Sequence, residues 1–232
     1  MEKERKGKKI KNARILGAGA VLVLVLNSCA GYRDWIAEPG DYGTGAAKRK
    51  AGQSASRSRD SRADAEIAAG IAYYTNGAYP KAVAAFTRAL EIEPRSAYVL
   101  NWRGFVWRLH GKYDRAVADH SAALKTKPDR EDRFNAYYHR GLAYYFKGHF
   151  NLAAEDYTEA LIINPQDVDT LNLRGAAHLA DRSYDKAVGD YLTALRIRPE
   201  DLYARIELER AQRIRREPSP QPPQPPQPPA VP

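Results

Sequence analysis

Cysteine is the rarest reactive residue in this chain, because Cys29 is the only thiol among 232 residues. A single thiol excludes an intramolecular disulfide and any metal site built from several cysteines. Cys29 follows closely on a basic start, "MEKERKGKKIKNAR", and an apolar run, "ILGAGAVLVLVL". Twelve apolar residues are fewer than the roughly 20 that a membrane-spanning helix needs, but they suit a secretory signal peptide. Because Cys29 lies next to this export signal, its position suggests that the thiol is chemically modified.

The four residues that end in this thiol, "LNSC", resemble the lipobox of bacterial lipoprotein signal peptides, with Leu26 and Ser28 in the expected slots. The resemblance implies cleavage of a signal peptide, residues 1–28, followed by lipidation of Cys29 with diacylglycerol and fatty acid such as palmitate. An aspartate directly after the cysteine would imply retention at the inner membrane. This chain has Ala30 there, which implies transfer to the periplasmic side of the outer membrane. An inner-membrane location, through lipid or an uncleaved signal anchor, is the alternative, and an ordinary buried cysteine is another.

The remaining residue types form no catalytic pattern. None of the five histidines has the spacing of a zinc-binding HExxH motif. No phosphate-cradling glycine loop and no Gly-x-Ser-x-Gly elbow occur in the sequence. Adjacent acids such as Glu155 and Asp156 point to different faces of a helix. We therefore expect a protein that is not an enzyme and that takes no cofactor and no metal.

The formal net charge of +9 is concentrated near the ends of the chain. Residues 1–28 hold seven Lys/Arg and two Glu, whereas residues 63–201 hold eighteen Lys/Arg and nineteen Asp/Glu. A nucleic-acid-binding domain usually presents a basic face on its folded part. We therefore expect no nucleic-acid partner, and RNA or polyanion binding is the least favoured alternative.

The middle of the chain repeats itself four times. The repeats align on four glycines and end in four prolines; the glycine spacings are 34, 37 and 34 residues. The glycines are Gly70, Gly104, Gly141 and Gly175, and the prolines are Pro94, Pro128, Pro165 and Pro199. This pattern resembles the tetratricopeptide repeat, a helix–turn–helix unit of 34 residues.

The resemblance implies an all-α protein, a right-handed superhelix or α-solenoid of four repeats at 63–96, 97–130, 134–167 and 168–201. The three extra residues, 131–133, are expected to lengthen a loop. Residues 29–62 are predicted to be a disordered tether because they are rich in Gly, Ser and charge.

Two segments follow the repeats. Residues 202–217 are predicted to form a helix that caps the open end of the solenoid, with Leu202, Ile206 and Leu208 on its apolar side. Residues 218–232 repeat Pro-Pro-Gln, a composition that favours polyproline II. This tail could be a spacer or a ligand for an aromatic-lined groove.

Repeats two to four carry an arginine directly before the glycine and an aspartate sixteen residues after the arginine. Repeat one has alanine in both slots, so the two charges occur together and are lost together. We predict structural, charge-assisted ion pairs between the paired helices of each repeat. The pairs are Arg103–Asp119, Arg140–Asp156 and Arg174–Asp190.

The resemblance also implies a concave groove, lined by the first helix of each repeat, that binds a protein or peptide. The candidate partner-binding residues in this row are Asn101, Phe105, Arg108, Asn135, Tyr138, Tyr145 and Asn172. Aromatic and Asn side chains suit the apolar side chains and backbone amides of a peptide; packing within the repeat is the alternative role for the tyrosines. The lysines of the carboxylate clamp found in chaperone-binding members are absent, so that specificity is not expected.

These observations together predict a lipid-anchored scaffold or adaptor of the bacterial envelope that recruits a protein partner through the groove. The alternative is an assembly factor for an envelope complex, either pilotin-like or for outer-membrane proteins. The sequence leaves the oligomeric state open.

Overall fold

Nine α-helices and no strand form residues 61–216, the part of the chain that the computed structural model describes. The helices are α1 (Ser61–Thr75), α2 (Tyr79–Ile92), α3 (Ala97–Leu109), α4 (Tyr113–Lys125), α5 (Arg130–Phe146), α6 (Phe150–Ile163), α7 (Val168–Ala180), α8 (Tyr184–Ile197) and α9 (Leu202–Arg216). The first eight form four hairpins, one for each sequence repeat. The expected all-α repeat superhelix is confirmed.

Each hairpin turns through a residue with positive φ. Gly77, Gly111 and Gly148 have φ values of 70°, 72° and 80°, and Arg182 takes the same place in repeat four at 61°. The following residue donates its N–H back to the last helical turn, as Ser183 does to the carbonyl of His178 at 2.8 Å. This Schellman arrangement satisfies carbonyl groups that the end of the helix would otherwise leave unpaired.

The three-residue insertion lengthens a helix rather than a loop, which corrects the sequence prediction. Helix α5 has 17 residues where α3 and α7 have 13 each. The connections before α3, α5, α7 and α9 all have four residues. Asp129 accepts a hydrogen bond from the N–H of Asp132 at 2.8 Å and thereby caps the longer helix. Asp and Glu in the first turn also favour helix through the helix dipole.

The repeat glycines allow an aromatic ring to lie directly against the first helix. A Cβ added at Gly70, Gly104, Gly141 or Gly175 would lie 2.7 to 2.8 Å from a ring atom of the second helix in the same repeat. The rings belong to Phe86, His120, Tyr157 and Tyr191. Phe86 also stacks on Trp102 of repeat two at 5.9 Å, so the same ring joins consecutive repeats.

Helix α9 covers the end of repeat four with its small residues. Ala204 and Ala211 are buried in a cluster with Tyr191. Leu202 and Ile206, predicted to form the apolar side, are instead 62% and 48% exposed, and only Leu208 of the three packs on the cluster. The alanines face inward because they let α9 approach the ring of Tyr191 closely.

None of the helices in residues 61–216 is long and apolar enough to cross a bilayer. The predicted signal peptide, Cys29, most of the tether and the Pro/Gln tail lie outside the described residues.

Candidate peptide-binding groove

The first helices of repeats one to three are joined by a series of ring contacts. Tyr74 of α1 meets Phe105 of α3 edge-on at 5.3 Å between ring centroids. Phe105 meets His139 of α5 at 5.2 Å, and His139 meets Tyr138 at 5.0 Å. We call Tyr74, Phe105, His139 and Tyr138 the ring row. The ring row connects the first helices of repeats one, two and three.

Most of the predicted groove residues have little surface exposed to solvent. Five of the seven are buried: Asn101, Phe105, Arg108, Tyr145 and Asn172. Asn135 and Tyr138 are half-buried. Of the seven, Asn135 and Tyr138 are therefore the two whose side chains stay partly open to solvent, and a role of the row in partner binding stays a prediction.

Asn101 holds repeats two and three together. Its Nδ2 donates to the backbone oxygen of Asp132 at 2.9 Å, in the extra turn of α5. Its Oδ1 lies 3.1 Å from Nδ1 of His120 in α4, so His120 donates from Nδ1 as a neutral imidazole. The inserted turn is thus part of the contact between the repeats.

Asn172 makes the corresponding contact at the end of the solenoid. Its Nδ2 donates to Oδ2 of Asp201 at 3.1 Å, while Oδ1 of Asp201 accepts from the N–H of Ala204 at 2.9 Å. Asp201 therefore caps α9 and ties it to α7 at the same time. Both asparagines have structural roles, which their sequence position alone did not distinguish from peptide binding.

Two buried histidines and a buried arginine lie beside the ring row. The rings of His120 and His139 stack at 5.8 Å, and the guanidinium of Arg108 lies 5.3 Å from the centre of Phe105. Burial, with a contribution from Arg108, lowers the pKa of His120 to about 3 and that of His139 well below its usual value. Both histidines are therefore neutral near pH 7.

Tyr145 is buried. Its ring meets Phe150 of α6 at 5.3 Å, and burial raises the pKa of its hydroxyl to about 12.

Several side chains of the first helices remain partly exposed to solvent, and tyrosines are among them. Tyr74, Tyr98, Tyr138 and Tyr203 are half-buried and come from α1, α3, α5 and α9. We call these four the inner tyrosines. The sequence prediction missed Tyr203, although it aligns with Tyr98 once Asp201 is aligned with Ser96, the residue before α3. A tyrosine offers a flat apolar face and a hydroxyl that can bind a peptide carbonyl.

The structure places each predicted Arg–Asp couple in bidentate contact. Arg103 Nη2 lies 2.7 Å from Asp119 Oδ1, Arg140 Nη2 lies 2.7 Å from Asp156 Oδ1, and Arg174 Nη2 lies 2.6 Å from Asp190 Oδ1. Each arginine also donates from Nη1 to a hydroxyl in the second helix of the preceding repeat, at 3.0 to 3.2 Å. These hydroxyls belong to Thr87, Ser121 and Thr158.

The hydroxyl partners were not predicted, although the sequence contains a signal for them. A Ser or Thr stands seventeen residues after the glycine in repeats one to three, each followed by a repeat with an arginine. Repeat four has Leu192 in this slot, and the aligned position of α9 is Leu208 rather than arginine.

Residues 61–216 contain no group of three or more His, Cys, Asp or Glu side chains placed to hold a metal ion.

An α-solenoid with inner tyrosines and structural polar contacts between repeats is the architecture of a binding scaffold. Family models described as tetratricopeptide repeat match residues 67–131 and 134–167, so the chain carries these repeats. The human protein "Tetratricopeptide repeat protein 6" is 30% identical over 139 residues, which are 60% of this chain and 26% of that protein. Human "DnaJ homolog subfamily C member 7" is 29% identical over 149 residues, 59% of this chain and 30% of that protein. The chain therefore spans less than a third of either relative.

Solved structures share the fold. The structure "MamA 41-end from Desulfovibrio magneticus RS-1" superposes with a TM-score of 0.64 at 19% identity, over 68% of this chain and 88% of that one. A hetero-tetramer structure described as "APC/C hetero-tetramer Cut9-Hcn1" gives a TM-score of 0.57 at 17% identity, over 63% of this chain and 29% of that one. At these identities the likeness concerns the fold alone.

Proposed function

We propose that this chain is a lipid-anchored scaffold of the bacterial cell envelope that recruits a protein partner through the inner face of its repeats. The observation that carries the proposal is the stack of helical repeats, which presents partly exposed tyrosines on four of its first helices, α1, α3, α5 and α9. Tetratricopeptide repeats suggest a protein–protein interaction scaffold, and proteins built from them are generally non-catalytic.

The residues that we expect to contact the partner differ from those predicted from the sequence. Asn101 and Asn172 are bound within the solenoid, so the inner tyrosines replace them as the expected contact points. Tyrosine contributes apolar area and a hydrogen bond at a low cost in side-chain entropy, which is why it is enriched at protein interfaces.

The anchoring side of the proposal rests on the sequence around Cys29. Lipid on Cys29 would hold the solenoid at the periplasmic side of the outer membrane. A membrane-bound scaffold raises the local concentration of whatever it binds, which favours a second, weak contact between the partner and the membrane or wall. We therefore infer an adaptor role.

The anchor is tested by Cys29→Ala in the full chain, with Ser28→Ala as the matched control because it keeps a small residue before the cysteine. We expect the control to fractionate with the outer membrane and the cysteine variant to leave it. Mass spectrometry of the amino-terminal peptide should show an acylated Cys29. An intact, unacylated amino terminus would contradict the anchor.

The binding face is tested by Tyr98→Ser and Tyr138→Ser in pull-downs from envelope fractions. Tyr73→Ser is the matched control, since Tyr73 is a 38% exposed tyrosine whose ring lies near Lys81 of α2. We expect the first two variants to lose a partner that the control retains. Loss of an outer-membrane oligomer on deletion of the gene would replace the adaptor role by an assembly role.

A further inference from the structure

Helix α9, the last helix that the structure describes, exposes one continuous side to solvent. Six exposed residues follow one another at intervals of one, three or four positions: Leu202, Arg205, Ile206, Glu209, Arg213 and Arg216. At 3.6 residues per turn these positions fall within an arc of about 100° around the helix axis. We call these six residues the α9 face. The opposite side of the helix, with Ala204, Glu207 and Ala211, is buried.

The α9 face lies where a further hairpin of a longer solenoid would stack. Leu202 and Ile206 are exposed, although the residues that align with them in α3, Ala97 and Asn101, are buried. Glu209 aligns with the repeat glycines, where an added Cβ would lie 2.7 to 2.8 Å from a ring of the second helix. Since Glu209 leaves no room for such a ring, the α9 face does not suit another hairpin of the same kind.

Helix α9 is also basic. It contains five arginines and two glutamates, a net charge of +3. Arg210 pairs with Glu207 at 3.3 Å, and Arg215 pairs with Asp185 of α8 at 2.9 Å. The other three arginines belong to the α9 face and form no ion pair with residues 61–216. The α9 face therefore combines two exposed aliphatic side chains with three arginines and a single acid.

This composition favours one occupant over the others. A second copy of the chain would bring two helices of charge +3 together, and residues 218–232 contain no acidic side chain. A soluble polyanion would neutralise the arginines but would leave Leu202 and Ile206 in water. An anionic bilayer offers phosphate groups for the arginines and an apolar region for the aliphatic side chains.

We propose that the α9 face binds the surface of an anionic phospholipid bilayer. The helix lies along the bilayer, with its two aliphatic side chains in the boundary between headgroups and acyl chains. Its three arginines donate hydrogen bonds to lipid phosphates, which the planar guanidinium group binds in bidentate fashion. This contact goes beyond the proposed function, because it belongs to the folded repeats and does not need lipid on Cys29.

The contact would fix how the solenoid is oriented on the membrane. An amphipathic helix with so few apolar residues binds a bilayer weakly and reversibly by itself. A chain that is already held at the membrane by another group presents α9 at a high effective concentration, so that even a weak contact is occupied. The side of the solenoid that carries the α9 face then turns towards the lipid.

The test uses the full chain with Cys29→Ala, which removes the lipid site and the only native thiol. Ile206→Cys in this chain carries an environment-sensitive nitrobenzoxadiazole dye. Ile162→Cys, at a 68% exposed residue of α6, carries the same dye as the matched control. With vesicles of equal parts phosphatidylcholine and phosphatidylglycerol, fluorescence at position 206 should rise about twofold and shift to the blue, whereas the control should not change.

Salt and lipid charge test the electrostatic part. Vesicles of phosphatidylcholine alone should give no rise at position 206, and raising the salt from about 0.1 to 0.5 M should suppress the rise. The dye signal is the readout because residues 1–60 are basic themselves and contribute to sedimentation with vesicles.

Arginine variants of the labelled chain measure the contribution of single charges. Arg205→Gln and Arg213→Gln should each weaken vesicle binding by about fivefold, the contribution of one basic residue near an anionic surface. Arg95→Gln, at an exposed arginine before α3, is the matched control and should leave binding unchanged.

Four results would overturn the proposal. The first two are no dye response at position 206 to anionic vesicles, and equal responses at positions 206 and 162. The third is a response to protein concentration without vesicles, which would assign the α9 face to a second copy. The fourth is an equal response to heparin, which would assign it to soluble polyanions. None of these results bears on the proposed anchor, because Cys29→Ala is present throughout.

Discussion

Arg140 donates two parallel hydrogen bonds to Asp156, from Nε to Oδ2 at 2.9 Å and from Nη2 to Oδ1 at 2.7 Å. A third bond, from Nη1 to Ser121 at 3.0 Å, reaches the second helix of the preceding repeat. One guanidinium therefore joins three helices of two repeats. Burial nevertheless raises the pKa of Asp156, since desolvation outweighs the attraction of Arg140. The pair thus fixes geometry more than it adds stability.

A double-mutant cycle separates these two contributions. Asp156→Ala should lower the free energy of unfolding by about 2–3 kcal/mol, because it leaves a half-buried guanidinium without its carboxylate. Changing Arg140 to Ala as well should restore about 1–2 kcal/mol, since Ala69 and Ala85 occupy the same two slots in repeat one. Urea denaturation measures each value. Additive losses, with no coupling, would show that the pair has no structural role.

The Arg–Asp contacts were visible in the sequence because both partners lie in one helical hairpin and vary together. The role of Asn101 was not visible, since its partner Asp132 belongs to an inserted turn that has no counterpart in the other repeats. The burial of Phe105 likewise depends on His139 of the next repeat. Local pairing follows from the repeat pattern, whereas packing between repeats depends on how closely the first helices approach.

The orientation of α9 likewise could not be predicted from the spacing of its apolar residues. Leu202, Ile206 and Leu208 were predicted to form its inward-facing apolar side. Ala204 and Ala211 face inward instead, together with Tyr203 and Leu208, which pack on the same cluster as Tyr191. Hydrophobic spacing predicts that the helix forms, while the shape of the neighbouring surface decides which side is buried.

Arg182→Gly should stabilise the protein. Arg182 has a φ of 61° in a turn where the other three repeats have glycine. A left-handed conformation costs an L-residue about 1–2 kcal/mol, part of which is offset because glycine gains entropy in the unfolded chain. We expect a net gain of about 1 kcal/mol in the free energy of unfolding, measured by urea denaturation. Gly148→Arg is the converse control and should lose a similar amount; a stabilising effect there would refute the strain argument.

Acid should destabilise the junction of repeats two and three through His120. Its pKa is about 3 in the folded protein and near 6.5 in an unfolded chain. As the pH falls from 6.5 towards 3, the unfolded state takes up a proton that the folded state does not. The contribution of neutral His120 is therefore complete above pH 6.5 and is lost in acid, at about 1.4 kcal/mol per pH unit.

This pH dependence is tested by replacing His120 with the residue type that repeat one has in the same slot. His120→Phe, which copies Phe86 of repeat one, should flatten the fall in unfolding free energy between pH 6.5 and 5. His149→Phe, at an exposed histidine, should leave the slope unchanged. Equal slopes for wild type and His120→Phe would mean that His120 is not held neutral.

Two glycines of repeat four should respond to alanine in opposite directions. Gly189 lies inside α8 with nothing within 4 Å of an added Cβ, whereas a Cβ on Gly175 in α7 would lie 2.8 Å from Cε1 of Tyr191. Gly189→Ala should raise the free energy of unfolding by about 1 kcal/mol, the usual difference in helix propensity. Gly175→Ala gains the same propensity but forces the Tyr191 ring away from the helix, so a net loss of about 1–3 kcal/mol is expected. Thermal and urea denaturation of the two variants measure both values, and stabilisation by both would show that the ring can move aside without cost.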